Sequence, residues 1–238
     1  MTFDPWIHGA PGEPPLQLQA FGEQTWVLRQ GKAVDYEAPF LYLLLGTSKA
    51  LLLDTGATAE APLLRATVDG LIGSRDLVVA HSHEHGDHVA GDPQFEGLVV
   101  SLGDSLDLGD RVLEVLRIPG HDATSIAIFD PATGWLLTGD TVYPGRLYVE
   151  DAPAWIASIA LLDDFARSRG VTAIMGCHIE MTDQPGVDYP TGTLFQPDEP
   201  ALAMTVEQLS GLRSVSHVAL EPGRHVFDDF VIVAGRDL

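Results

Sequence analysis

A run of eight residues, from His81 to His88, holds four histidines and two carboxylates directly after the short apolar segment Leu77 to Ala80. Imidazole and carboxylate groups are the usual protein ligands of zinc and of non-haem iron. A turn that follows a strand lets such closely spaced side chains converge on one point, whereas a straight strand sends successive side chains to opposite faces. The segment therefore predicts a metal site at the end of a buried strand.

The histidines of this segment can be grouped in more than one way. The pattern His-x-His-x-Asp-His selects His83, His85, Asp87 and His88 as metal ligands. His81 is then left to pack or to hydrogen-bond behind the site. We take this grouping as the predicted register of the ligands.

The charge of the chain disfavours two classes of partner. Its 238 residues include 13 Lys and Arg against 34 Asp and Glu, which gives a formal net charge of −21. Nucleic-acid binding depends on basic side chains that neutralise phosphates, and an anionic membrane surface would repel this chain. The longest apolar runs, Phe40 to Leu45 and Ala50 to Leu53, are far shorter than the roughly 20 residues of a spanning helix. We expect a small-molecule substrate, no nucleic-acid partner and no membrane partner, and we leave a homodimer open.

Composition predicts one folded domain over residues 1–238. Apolar residues make up 45% of the chain, which is too hydrophobic for disorder, and no repeat or linker interrupts it. The N-terminal residues carry no basic residue and no apolar core of signal-peptide length, and the single cysteine, Cys177, fits a reducing compartment. We therefore expect a cytoplasmic protein.

Short apolar runs and helical periodicity alternate along the chain. The predicted strands are Leu16 to Phe21, Thr25 to Arg29, Phe40 to Leu45, Ala50 to Leu53, Leu77 to Ala80, Leu98 to Ser101, Val112 to Ile118, Ser125 to Phe129, Trp135 to Thr138, Thr172 to Met175 and His225 to Ala234. The predicted helices are Thr58 to Leu71, Pro153 to Arg169 and Ala201 to Leu212. A long loop rich in Pro and Gly, Thr182 to Pro200, is expected to cover the pocket.

The chain resembles the metallo-β-lactamase superfamily of hydrolases in five segments that follow the family's order. The segments are Leu53-Asp54-Thr55-Gly56, the pattern from His83 to His88, Pro119-Gly120-His121, Thr138-Gly139-Asp140-Thr141 and Gly176-Cys177-His178. The resemblance implies an α/β fold, a four-layer αβ/βα sandwich of two mixed β-sheets flanked by helices.

The same resemblance implies a complete set of ligands for two divalent metal ions. It assigns His83, His85 and His121 to one ion, Asp87, His88 and His178 to the other, and Asp140 to a bridge between them. It also implies that Asp54 supports a ligand histidine from behind. Zinc is the first expectation for the metal, and iron and manganese are the alternatives.

The implied reaction is hydrolysis of a small carboxyl derivative, a thioester, an ester or a lactone, by a hydroxide that bridges the metals. A β-lactam is less favoured, because Asp140 stands where one subclass of β-lactamases has a cysteine ligand. The alternatives are a mononuclear iron oxygenase similar to persulfide dioxygenases and a phosphodiesterase-type hydrolase. The Cys-Gly-Arg run of the dioxygenase branch is not reproduced after Asp140.

Two residues are predicted to take part in catalysis and three to bind substrate. Asp87 is implied to carry a proton to the leaving group, and Tyr143, three residues after Asp140, resembles a lactonase tyrosine that assists at the substrate carbonyl. Arg146, Tyr189 and Phe195 are the candidate substrate-binding residues. A glutathione thioester is disfavoured, because the C-terminal part has few basic residues and ends in a predicted strand.

Overall fold

The computed structural model describes residues 4–58 and 62–235, and these residues form two compact units. The N-terminal unit comprises the described residues up to Val115 together with 192–197. The C-terminal unit comprises 116–191 and 198–235. The single domain predicted for residues 1–238 stays a prediction, and each unit is described by itself.

The N-terminal unit is built on a five-stranded sheet whose spatial order follows the chain order. Its strands are β1 (Leu16–Ala20), β2 (Thr25–Gln30), β3 (Phe40–Leu45), β4 (Lys49–Leu53) and β5 (Asp76–Ala80). The first four strands pair antiparallel, and β5 pairs parallel to β4. A parallel neighbour needs a crossover, which helix α1 (Pro62–Ile72) supplies. Leu64 and Val68 of α1 pack in the same apolar cluster as Leu41 of β3 and Val79 of β5.

Helix α1 differs from its prediction at its start. The predicted helix runs from Thr58 to Leu71, and the structure describes it from Pro62 to Ile72. Residues 59–61 of the prediction lie outside the described residues. After β5 the chain passes through residues 81–85 into the short helix α2 (Gly86–Val89), and later forms the antiparallel pair β6 (Ser105–Asp107) and β7 (Val112–Arg117). The strand predicted at Leu98 to Ser101 is wrong, because this segment makes only an isolated parallel bridge between Val99 and Val79.

The C-terminal unit contains strands β8 (Ile126–Asp130), β9 (Trp135–Gly139), β11 (Ala173–Gly176) and β12 (Ala203–Met204), side by side in that order. The predicted hairpin of β8 and β9 is confirmed. Strand β11 runs parallel to β9, and helix α3 (Ala152–Arg169) lies between them in the chain. The Asp151 carboxylate caps α3 and Gly170 ends it at φ 68°, so the predicted helix is confirmed to within one residue.

Two differences from prediction lie near the C-terminus. Helix α4 covers Val206–Val215, because Thr205 and Gln208 form a capping box and the residues before it form β12. The predicted final strand is a hairpin of β13 (Gly223–Val226) and β14 (Val231–Ala234). This hairpin and strand β10 (Arg146–Val149), which pairs parallel to β14, make a small third sheet in the described part of the chain.

The mixed α/β class is confirmed, and the small sheet of β10, β14 and β13 is an addition to the two predicted mixed sheets. No helix of the described residues is long and apolar enough to cross a membrane.

A buried carboxylate joins α3 to α4. Asp163 is 2% exposed and accepts hydrogen bonds from Ser210, Arg213 and Arg167. Burial by itself raises the pKa of Asp163, but these hydrogen bonds outweigh it and hold the pKa below its usual value. A carboxylate with a lowered pKa contributes stability above its unfolded pKa of about 3.9, and the contribution disappears as the pH falls through the folded pKa.

We expect Asp163→Asn to lower the free energy of unfolding by about 1–3 kcal/mol at pH 7, since hydrogen bonds to a charged group are lost. The difference from the parent should shrink as the pH falls below about 4. Urea unfolding at several pH values measures both effects. Asp164→Asn is the control, because its side chain is 67% exposed and pairs with the same Arg213. An equal loss in the two variants would contradict the assigned role.

Candidate metal centre

The four side chains of the His-x-His-x-Asp-His segment gather at the end of β5. The His83 ring lies 4.6 Å from the His85 ring and 4.1 Å from the His88 ring, centroid to centroid. His83 and His88 are 1% and 0% exposed. His85 precedes α2, which carries Asp87 and His88 in its first turns. The structure therefore brings together the donors that the sequence grouped.

The spacing of the donor atoms suits ligands of one ion. A tetrahedral zinc ion holds nitrogen and oxygen ligands at about 2.0–2.1 Å, so two of its ligand atoms lie about 3.4 Å apart. The Asp87 Oδ2 to His88 Nε2 distance is 3.1 Å, and in the C-terminal unit the Asp140 Oδ2 to His178 Nε2 distance is 3.4 Å. These donor pairs fit a divalent metal without rearrangement.

Asp54 follows β4 and lies against His88, and its role in supporting a metal ligand stays a prediction. Its fully buried carboxylate accepts from the backbone N–H of Ser82 at 2.7 Å and from the Ser82 hydroxyl at 2.8 Å, and lies 2.9 Å from His88 Nδ1. An ionised carboxylate at Nδ1 selects the tautomer that presents Nε2 to a metal. Asp54 has φ 68°, a left-handed conformation that is uncommon outside glycine and often marks a functional position.

The charge state of Asp54 follows from its surroundings. Burial by itself raises the pKa of Asp54, but the attraction of His88 and hydrogen bonds from His81 and His88 outweigh burial and hold the pKa well below its usual range. The group is therefore a carboxylate at neutral pH.

Ser82 is a functional residue that the sequence analysis missed. Its hydroxyl donates to Asp54 and lies 3.0 Å from Nδ1 of His83, so it fixes the orientation of a second predicted ligand. A serine between two histidines reads as a spacer in a single sequence. Only the contact with Asp54, 28 residues away, reveals its role.

His81 lies between two carboxylates. Its Nε2 is 3.1 Å from Asp92 Oδ1, and its Nδ1 is 3.7 Å from Asp54 Oδ1. Asp92 in turn accepts a hydrogen bond from the Thr55 hydroxyl at 2.8 Å. This placement agrees with a hydrogen-bonding residue behind the ligands, and the register stays a prediction.

We expect His81→Ala to keep close to two metal equivalents per chain, because the ring takes part in hydrogen bonds rather than in the predicted ligand set. His83→Ala, a matched change two residues away, should lose about one equivalent. Elemental mass spectrometry of the purified variants measures both numbers. Loss of one equivalent from His81→Ala would mean that the ligand register is wrong.

The C-terminal unit brings together the other predicted donors. Asp140 follows β9 and His178 follows β11, and the two strands are parallel neighbours in which Gly139 pairs with Gly176. The carboxyl ends of parallel strands meet at one edge of a sheet, so the two side chains become neighbours. His121 lies 3.9 Å from Asp140 through Nε2. Its Nδ1 is held 2.9 Å from the backbone carbonyl of Tyr148, which turns Nε2 towards Asp140.

Tyr143 lies beside His178 in the C-terminal unit. It is 2% exposed, and its ring meets the His178 ring edge to face at 5.6 Å. Its hydroxyl proton faces two acceptors, the backbone carbonyl of Arg146 and, at 3.2 Å, Oε2 of Glu180. Burial and the charges of Glu180 and Asp140 raise the pKa of Tyr143 well above 10, so the hydroxyl keeps its proton.

The three predicted substrate-binding residues have different surroundings, and their roles stay predictions. Arg146 is 8% exposed and pairs with Glu180 and Asp188. Tyr189 accepts from the backbone N–H of residue 198 through its hydroxyl and from Arg146 through its carbonyl, so it holds the predicted cover loop together. Phe195, in the part of that loop that belongs to the N-terminal unit, is 57% exposed.

Comparison with known proteins identifies the fold class. A solved structure, the metallo-β-lactamase from Pontibacter korlensis, superimposes with a TM-score of 0.63 at 17% identity, over 85% of this chain and 99% of that one. The family model described as "Metallo-beta-lactamase superfamily" matches residues 92–178. The chain has the metallo-β-lactamase fold, and its residues 92–178 are similar to that superfamily in sequence.

Curated relatives carry the names of thioester hydrolases. Hydroxyacylglutathione hydrolase of Xanthomonas euvesicatoria is 30% identical over 50% of this chain and 53% of its own length, and that of Dechloromonas aromatica is 28% identical over 74% and 69%. Acyl-coenzyme A thioesterase MBLAC2 of Bos taurus is 46% identical over 21% of this chain and 18% of its own. The match thus spans about half the length of the first of these relatives. Together with the His and Asp donors, the metallo-β-lactamase fold and the match over residues 92–178 indicate the use of divalent metal.

Proposed function

We propose that this protein is a dinuclear metal-dependent hydrolase of small carboxyl derivatives, with thioesters as the first substrate class. The observation that carries the proposal is the pair of donor groups, one in each unit, in which carboxylate and imidazole atoms stand 3.1 and 3.4 Å apart. The names of the relatives, which describe thioester hydrolysis, support the substrate class. An ester or a lactone is the next expectation.

The resemblance to the superfamily assigns the donors to two ions. His83, His85 and His121 would hold one ion, Asp87, His88 and His178 the other, and Asp140 would bridge them. The support is the superfamily's order of segments and the chemistry of the donors. Two carboxylates against two divalent ions leave the centre with positive charge, which suits an acyl group and a thiolate leaving group despite the net charge of −21. Zinc is the proposed metal.

When bound, the metal ions supply a water molecule with a pKa lowered to about 7 and a Lewis acid for the substrate carbonyl. The residues of the chain would orient the ligands and move the proton. Asp54 and Ser82 orient the imidazoles of His88 and His83. The carboxylate of Asp87, 13% exposed and adjacent to His88, is placed to take the proton of the attacking water and deliver it to the leaving group.

Tyr143 is the second proposed catalytic residue. We expect Tyr143→Phe to lower turnover roughly 10-fold while the protein, kept in excess zinc, retains two equivalents. Steady-state rates and elemental analysis on the same preparation check the two parts. Unchanged turnover on every active substrate would reduce Tyr143 to a packing residue.

The function is tested on protein stripped with a chelator and reloaded with zinc, iron or manganese. Release of thiol from acyl-glutathione and acyl-coenzyme A thioesters is compared with hydrolysis of an aryl ester, a lactone and an aryl phosphodiester. We expect thioester hydrolysis with two zinc ions under nitrogen. Oxygen uptake by protein that holds one iron would replace the proposal with the oxygenase alternative, and cleavage of the phosphodiester alone would replace it with a phosphodiesterase.

The remaining expectations about this protein stay proposals. A small molecule is the proposed substrate, with no nucleic acid and no membrane as partner. A homodimer and a cytoplasmic location are further proposals that gel filtration and cell fractionation would test.

A further inference from the structure

Glu180 collects three hydrogen bonds from a segment that lies 34 to 37 residues earlier in the chain. Its Oε2 accepts from the Tyr143 hydroxyl at 3.2 Å and from the backbone N–H of Arg146 at 2.7 Å. Its Oε1 pairs with the guanidinium of Arg146. Its backbone N–H donates to the carbonyl of Pro144 at 2.9 Å. One carboxylate therefore ties the segment after Asp140 to the segment after His178.

The ring of Tyr143 has little freedom between these ties. A Cβ at Gly145 would stand 2.2 Å from Cε2 of the ring, and a Cβ at Gly176 would stand 2.3 Å from Cβ of Tyr143. Only glycine permits this approach on both sides. The hydroxyl is held by Glu180 at one end, and the ring edge contacts His178 at the other.

We propose that Glu180 is a positioning residue for His178 that acts through Tyr143. The proposal rests on the function above, in which His178 is a metal ligand. Glu180 holds the hydroxyl, the hydroxyl sets the ring, and the ring limits rotation of the His178 imidazole. Groups that orient a ligand in this way typically change metal affinity 10- to 100-fold when they are removed.

Glu180→Gln is the first test. Both carboxylate oxygens accept from N–H groups of Arg146, so in either orientation the NH₂ of a glutamine faces an N–H donor. The side chain must move, which leaves the Arg146 carbonyl as the remaining acceptor of the Tyr143 hydroxyl and removes the tie to the segment after His178. Zinc is titrated into chelator-stripped protein against a chromophoric chelator. We expect one of the two zinc affinities to fall about 10-fold and the other to stay within about twofold.

Asp188→Asn is the matched control. Asp188 pairs with the same Arg146, at 3.1 Å, and with Arg224, and its side chain makes no hydrogen bond to Tyr143. Loss of this charge should lower the melting temperature and leave both zinc affinities within about twofold of the parent. An equal fall in affinity in the two variants would assign the effect to Arg146 and overturn the proposal.

A double-mutant cycle with Tyr143→Phe tests the route of the effect. If Glu180 acts through the hydroxyl, Tyr143→Phe alone lowers the same zinc affinity as Glu180→Gln, and by a similar factor. The double variant then binds zinc as tightly as either single variant. Additive losses, or unchanged affinities in a destabilised Glu180→Gln, overturn the proposal. If Glu180→Gln does not fold, the zinc affinities of Tyr143→Phe test the proposal by themselves. Unchanged affinities in Tyr143→Phe would also overturn the proposal.

The titration needs no substrate, so the inference can fail or stand separately from the hydrolase proposal. A parent that binds two zinc ions and hydrolyses nothing in the panel would contradict the function alone. A parent that takes up no second zinc ion would contradict both.

Discussion

Asp140→Ala is expected to reduce the metal content from two equivalents per chain to one or none and to lower hydrolysis at least roughly 100-fold. The reason is that one side chain is proposed to serve both ions. Asp140 lies 3.4 Å from Nε2 of His178 and 3.9 Å from Nε2 of His121, so its loss would remove one ligand from each of the two proposed sets. Elemental mass spectrometry after purification without added metal gives the stoichiometry.

The control for Asp140→Ala is Asp164→Ala, a carboxylate of equal size on the exposed face of α3. It should keep both equivalents and the full rate. A melting curve close to that of the parent would show that Asp140→Ala is folded. Retention of two equivalents in that folded variant would contradict the bridging role.

Asp54→Asn is expected to have the second-largest effect, a loss of about 10- to 100-fold in metal affinity with the fold preserved. Asparagine tolerates the left-handed backbone at this position, where φ is 68°. The asparagine oxygen can keep accepting from the backbone N–H of Ser82. The NH₂ group then replaces the carboxylate oxygen that faces the Ser82 hydroxyl and His88 Nδ1. His88 then loses the charge and the acceptor that select its tautomer.

Zinc titration against a chromophoric chelator measures the effect of Asp54→Asn. Asp92→Asn is the control, because Asp92 contacts His81 and Thr55 in the same region and is not bonded to a predicted ligand. We expect its affinities to stay within a few-fold of the parent. An Asp54→Asn protein with parental affinity would mean that His88 is oriented by other groups.

Asp140→Ala and Asp54→Asn should differ in metal stoichiometry at high zinc concentration, because Asp140 is a proposed ligand and Asp54 only orients one. Asp140→Ala should change stoichiometry even at high metal concentration, because a ligand is missing. Asp54→Asn should recover two equivalents when zinc is in excess, because all seven proposed ligands remain. Stoichiometry measured at low and at saturating zinc distinguishes the two cases.

The sequence by itself determined the metal chemistry and the class of the fold. The donors at 83, 85, 87 and 88 are local, so their spacing on a turn after a strand was enough to group them. Helix α3 was predicted to within one residue because its cap and its terminal glycine are also local signals. The order of the five segments then connected His121, Asp140 and His178 with this chemistry through a family resemblance.

Only the tertiary structure decided what holds these donors in place. Ser82 meets Asp54 across 28 residues, and Glu180 meets Tyr143 across 37, and neither pair leaves a periodic or compositional mark in one sequence. Helix α4 starts after Thr205 because of its capping box. The last predicted strand is split into β13 and β14, which pair with each other. Local patterns report which groups a chain carries, whereas orientation comes from hydrogen bonds between distant segments, which exist only after the chain has folded.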